Sequence, residues 1–252
     1  MLWYKSWLET RWRFFIGLGL LVLSAGGIVY AYPQVMKLLP RASELDTSGP
    51  IGQRIKDAVD LSRDYRGYVW SQWMRQNLVQ MATFFAVILG SGGPYSQRSE
   101  LFTLSLPVSR QRLVGIRAAA GLGELLVIIV VSSLVVPLVS PSVGQSYSVG
   151  SALVHALCAF VGSAAFFSLA TLLSTSFSDI WRPLLIACAV AAVLLLAEQV
   201  IRDVSPYSIF TVMNGETYFR SGQVPWAGLV AAASLSAAML YGAAMNIERR
   251  DF

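Results

Sequence analysis

Charge is scarce in this chain. Of 252 residues only 13% are Asp, Glu, Lys or Arg, about half the share a soluble globular domain carries. Lysine occurs only as Lys5, Lys37 and Lys56, and none of the three is preceded by glycine. A Gly-x-x-x-x-Gly-Lys-Ser/Thr loop is therefore absent, and with it the means to cradle nucleotide phosphates. Histidine occurs once, as His155, so no multi-histidine metal site can form within one chain. The two cysteines, Cys158 and Cys188, both fall inside apolar runs, where a free thiol behaves as a small apolar side chain rather than half of a disulfide. Ser132, Ser133, Ser163 and Ser168 also lie in apolar runs, but none has a Gly-x-Ser-x-Gly setting. A Ser–His pair for hydrolysis within the membrane is thereby disfavoured. These absences leave no catalytic residue, metal ligand or cofactor site to assign.

What the chain has is apolar length. Hydrophobic residues make up 55% of it, and a helix needs about 20 of them in a row to cross a bilayer. Six runs qualify, at about 14–36, 73–93, 113–139, 149–177, 184–200 and 225–245. The expected architecture is an all-α integral membrane protein with six transmembrane helices in a single domain. Trp3 and Trp7, four residues apart among Lys5, Glu9, Arg11 and Arg13, predict an N-terminal helix lying in the headgroup layer before the first span. The first run is too long for a signal-peptide core and no cleavage site follows it, so it reads as a retained helix. The one long polar segment, 37–72, carries Gly49-Pro50 followed by Ile51, Ile55, Ala58 and Val59, the pattern of an amphipathic helix with proline at its first position. It reads as an external cap. Residues 201–224 hold Pro206, Tyr207, Ile209, Phe210, Val212 and Met213, too apolar for a solvated loop, and are expected to pack against the bundle.

The net charge of +5 carries no nucleic-acid signal, because most basic residues cluster at the ends of apolar runs, where they meet headgroups. Lys5, Arg11, Arg13, Arg98, Arg110, Arg112, Arg117, Arg182, Arg249 and Arg250 fall on one side of the bilayer, against Arg202 and Arg220 in the short loops of the other. Both termini are therefore expected in the cytoplasm.

The connection 95–117, between the second and third runs, is the most charged short one. Leu101, Phe102 and Leu104 can share one face of a short helix. Pro107 ends that helix, Ser109 can cap the next, and Arg110, Arg112 and Arg117 ring its entry. The stretch Leu104-Ser105-Leu106-Pro107-Val108-Ser109-Arg110, followed by Arg112-Leu113, resembles the cytoplasmic loop of ABC transporter permeases of the type-2, exporter-like class, and the end Glu248-Arg249-Arg250-Asp251-Phe252 is similar to theirs. The family often carries a Gly-Thr pair before the loop helix; Arg98-Ser99 stands there in this chain. The resemblance implies a six-helix permease in the cytoplasmic membrane of a prokaryote. It further implies a second permease copy as partner, and a coupling helix between spans two and three that docks on a separate ATPase subunit. In that scheme Leu101, Phe102, Leu104, Pro107, Arg110 and Arg112 are the coupling residues.

Two carboxylates stand inside the apolar runs. An ionisable group there is costly and marks a functional-site candidate. Glu124 reads either as a polar point on a translocation path or as a structural partner of Arg117, seven residues back; Glu198 reads either as such a point or as a group solvated at the interface. The rival reading is a stand-alone, proton-coupled secondary transporter using Glu124 and Glu198.

Overall fold

The computed structural model describes residues 2–43, 56, 59–91, 110–177, 179–200 and 208–248, and among them all regular structure is helical. The elements are α1 (Leu2–Ser43), α2 (Tyr65–Val69), a π-helical segment (Trp70–Leu78), α3 (Val79–Gly90), α4 (Arg110–Val139), a 3-10 turn (Ser140–Val143), α5 (Val149–Ser176), α6 (Trp181–Val200), α7 (Ile209–Met213), α8 (Glu216–Ser221) and α9 (Trp226–Glu248). Five helical stretches are long and apolar enough to cross a membrane: Trp3–Leu38, Gln111–Val143, Val149–Ser176, Trp181–Glu198 and Trp226–Glu248. They coincide with the first, third, fourth, fifth and sixth apolar runs.

Two expectations are corrected. The N-terminal residues do not form a separate interfacial helix. They are the first turns of α1, 42 residues long without a break, or about 63 Å at 1.5 Å per residue. No glycine or proline interrupts the join at Arg13 and Phe14, and the Trp7 ring packs edge-on against Phe14 and Phe15 across it. Polar contacts to α4, described below, hold these turns against the bundle. The second expected run is not one α-helix either. Helical backbone angles continue from Tyr65 to Gly90, but the turns from Trp70 to Leu78 widen to π geometry. Asn77 Nδ2 donates to the Gln72 carbonyl at 2.7 Å, a five-residue reach that matches the i+5 spacing of such turns. The loop helix with Leu101, Phe102, Leu104 and Pro107 lies outside the described residues, as does most of the amphipathic helix expected near 51–59, of which Lys56 and Val59 are described and helical.

α5 is the centre of the bundle and touches α3, α4, α6, α7 and α9. It has no charged residue, and its Gly, Ala and Ser positions let neighbours approach closely. Most of its hydroxyls turn back to carbonyls one turn earlier, as in Ser168 to Ala164 at 2.7 Å and Thr171 to Phe167 at 2.9 Å, which satisfies them without water. Ser148 caps its start by accepting from the Ser151 amide. α6 is peripheral, with Trp181, Leu185, Val193, Leu196 and Val200 all exposed, a face suited to lipid. Cys158 and Cys188 are both free thiols.

α1 runs antiparallel to the α2–α3 element along its length. Tyr32 and Tyr65 rings meet at 4.8 Å, the Tyr68 hydroxyl donates to the Ile28 carbonyl at 3.0 Å, Ser24 donates to Asn77 at 3.4 Å, Gly17 faces the Phe85 ring, and Arg13 donates to the Ile88 carbonyl at 3.0 Å. The bundle thus has an N end, near Arg13, and a far end, near Tyr32. The described part of 201–224 packs rather than hangs free. Phe210 stacks on Phe166 of α5 at 5.5 Å, and Met213 fills the space a side chain at Gly162 would take. Gly215, at φ 63°, turns the chain from α7 to α8 directly over the His155 ring; a side chain there would meet both strain and the imidazole.

Candidate functional site

A polar cluster at the N end, buried at Thr10 and Glu124 and exposed at Glu9, joins α1 to α4. Glu124 is 6% exposed. Its Oε1 accepts from the Thr10 hydroxyl, which also reaches back to the Ser6 carbonyl at 3.0 Å. Its Oε2 is buried with no partner. Arg117, two turns earlier on α4, pairs through Nη1 with Glu9 Oε2 at 3.1 Å. Arg117 is thus fastened to Glu9, and Glu124 to Thr10. Two adjacent α1 residues grip two α4 residues seven apart, so α1 and α4 are tied at two successive levels. A charge-assisted hydrogen bond is stronger than a neutral one; the Thr10–Glu124 link is buried, where it is not readily exchanged for water, while the Glu9–Arg117 pair is open to solvent and contributes less.

Glu198 is held elsewhere. Its Oε2 accepts from Ser208 at 2.7 Å and its Oε1 from Thr211 at 3.2 Å. Ser208 also caps α7 by accepting from the Phe210 amide at 3.2 Å. Glu198 therefore pins the start of α7 to the last turn of α6. The structure does not bring Glu124 and Glu198 together. Of the expected coupling residues, Arg112 is exposed at the start of α4; the side chain of Arg110 lies outside the described residues.

The far end carries a second polar cluster that the sequence reading missed. Trp70 and Phe219 stack face to face, with centroids 4.4 Å apart and planes 7° from parallel. Arg66 lies over the Phe219 ring at 5.4 Å, and Arg75 over the Trp70 ring at 5.6 Å. Trp70 Nε1 donates to the Asn214 carbonyl at 3.0 Å. Each ring of the stacked pair thus carries a cation, and the stack docks α8 on the π segment. Close by, His155 is 1% exposed, with Nδ1 2.8 Å from the Ser151 carbonyl and its ring edge-on to Tyr218. That contact makes Nδ1 the protonated nitrogen, and Nε2 is left a buried acceptor without a partner. Tyr147, between the 3-10 turn and α5, has its phenol pushed above the ordinary value by burial and so stays a neutral donor. The signal that could have found this region is the run of Gln72, Arg75, Gln76, Asn77 and Gln80 within and beside the second apolar stretch.

Helices of this length and composition, wrapped around an uncharged central helix, define a multi-pass membrane protein. Comparison of the chain with protein-family models, with curated proteins and with solved structures finds no match in any of the three.

Proposed function

We propose that this chain is the membrane subunit of an ATP-driven transporter of the type-2, exporter-like ABC class. Two copies, or one copy and a similar partner, form the translocation pathway in the bilayer, and separate ATPase subunits grip the 95–117 loops. The chain itself performs no bond chemistry, consistent with its lack of a P-loop. Export into or across the cytoplasmic membrane of a prokaryote, with both termini on the ATPase side, follows from the loop resemblance and the arginine distribution.

The observation that carries this reading is the double fastening of α4 to α1. α4 begins at Arg110, at the end of the arginine-rich loop. Within its first turns Arg117 and Glu124 are tied to Glu9 and Thr10. A displacement applied to the loop by an ATPase would therefore move α1 and α4 as one body, instead of bending α4 alone. A short apolar helix such as 96–105 cannot hold its fold in water by itself, so docking on a partner would stabilise it.

The test is co-purification. The affinity-tagged full chain, extracted in mild detergent, should retain a P-loop ATPase that hydrolyses ATP, and deletion of residues 98–105 should release that ATPase while the chain still inserts. Recovery of the full chain with no P-loop ATPase, or retention of the ATPase by the deletion variant, would contradict the reading.

A further inference from the structure

The α2–α3 element buries nearly every side chain but leaves one polar edge open. Arg75, Gln76 and Gln80 are exposed and Gln72 is half-buried, while Trp73, Met74, Leu78 and Val79 beside them are buried. The register against α1 fixes the depth of this edge. α1 from Arg13 to Tyr32 covers about 28 Å at its rise per residue, close to the roughly 30 Å of a bilayer's hydrocarbon core. Asn77 meets Ser24 and Phe85 meets Gly17, so Gln76 and Gln80 lie near the middle of that length, with Arg75 slightly toward the far end. A guanidinium and three primary amides at such a depth are costly against lipid and belong on a water-filled surface.

Arg75 is also prepared for a ligand. Its guanidinium lies over Trp70. Trp70 is itself fixed by the Phe219 stack and the bond to the Asn214 carbonyl. Among the described residues no carboxylate pairs with Arg75. Its planar donors thus stay available for bidentate contact with a carboxylate or phosphate, and the amides of Gln72, Gln76 and Gln80 offer neutral donors along the same edge. The edge turns apolar one turn beyond Gln80, at exposed Phe84, and Leu20 is exposed one turn from Ser24 on the adjoining α1.

We infer that the Gln72–Arg75–Gln76–Gln80 edge binds the anionic group of an amphipathic molecule, whose apolar part lies along Phe84 and Leu20. The inference rests on the transporter reading above, to whose cargo it gives a chemical class.

The experiment uses the full chain in phosphatidylcholine vesicles, with Cys158 and Cys188 replaced by alanine and single cysteines introduced at Gln80 or, as a lipid-facing control, at Leu23. A charged thiosulfonate reagent reacts with a thiol that water can reach. Gln80→Cys should label readily and Leu23→Cys should not. Dodecyl phosphate should slow labelling at Gln80→Cys, whereas dodecyltrimethylammonium and inorganic phosphate at the same concentration should not. Arg75→Gln should weaken that protection roughly tenfold, the factor carried by loss of a charge-assisted hydrogen bond, and Arg75→Lys should keep part of it. Equal protection by inorganic phosphate would overturn the amphipathic assignment. Labelling at Gln80→Cys as slow as at Leu23→Cys, protection by the cationic amphiphile, or protection unchanged in Arg75→Gln would overturn the site. The assay contains no ATPase, so it can fail while an ATPase still co-purifies, and the reverse.

Discussion

At the N end of the bundle Glu9, Thr10, Arg117 and Glu124 face one another across α1 and α4, whereas on the π segment and the first turn of α3 the side chains of Arg75, Gln76 and Gln80 are exposed. Both groups are polar islands in an apolar protein, and both would be costly in lipid. The first answers that cost internally, by pairing acid with base and hydroxyl with carboxylate. The second has its cation braced from behind by Trp70 and left open in front. A closed polar cluster between two helices acts as a fastener; an open one implies a partner supplied from outside the fold. The same contrast separates the two intramembrane carboxylates from Arg75. Glu124 and Glu198 each accept from hydroxyls of a neighbouring segment, so their immediate work is to join elements.

The largest effect should come from removing the brace. Trp70 is fully buried and holds Phe219, Arg75 and the Asn214 carbonyl together. Trp70→Ala should cost about 3–5 kcal/mol, the usual range for truncating a buried aromatic, read as a fall in unfolding midpoint in detergent. It should also detach α8, so that proteolysis near Arg220 accelerates. A stability loss with α8 still protected would show that the stack is not what docks it.

The fastener should matter less to stability. Thr10→Val keeps the volume and removes the donor to Glu124, leaving a buried carboxylate with no hydroxyl partner. The expected cost is about 1–2 kcal/mol, since side-chain hydrogen bonds between membrane helices are modest. Thr10→Ser should restore most of it. If Thr10→Val is neutral in the same denaturation assay, the α1–α4 link is carried by Glu9–Arg117 alone.

Glu198→Gln should have the smallest effect. The amide oxygen still accepts from one of Ser208 and Thr211, so roughly 0.5–1 kcal/mol should be lost, seen as faster hydrogen exchange at the start of α7 with no change in the rest of the bundle. Loss of transport in Glu198→Gln without that local change would assign Glu198 to the pathway instead.

The third to sixth apolar runs were legible because length alone identifies them: α4, α5, α6 and α9 each begin and end within a few residues of the hydropathy boundaries. The start of α1 was not legible, because composition changes at Arg13 while the helix does not; what holds its first turns on the bundle is Arg117, 108 positions away in sequence from Glu9. A single sequence carries no trace of such a pairing, and the nearer candidate, Arg117 with Glu124, was the natural one to consider. The π segment was hidden for a different reason. Its side-chain pattern fits an ordinary apolar helix with an amphipathic start, and the widened turn appears only once Asn77 is seen to reach the Gln72 carbonyl. The polar residues of that run were visible, but which of them point outward depends on the packing of α1 and α5 around it.

The claim most open to direct test is that the 95–117 loop takes up the force and the α1–α4 fastening passes it on. With the chain and the ATPase proposed for it reconstituted together in vesicles, retention of that ATPase and substrate-dependent ATP turnover should be measured in parallel for Phe102→Ala combined with Arg110→Glu, and for Glu124→Gln. The loop variant should lose the ATPase, or keep it with turnover that no longer responds to substrate. Glu124→Gln should keep the ATPase bound and lose the substrate response. Wild-type retention and wild-type substrate response in the loop variant would contradict the account, and would leave the loop a membrane anchor.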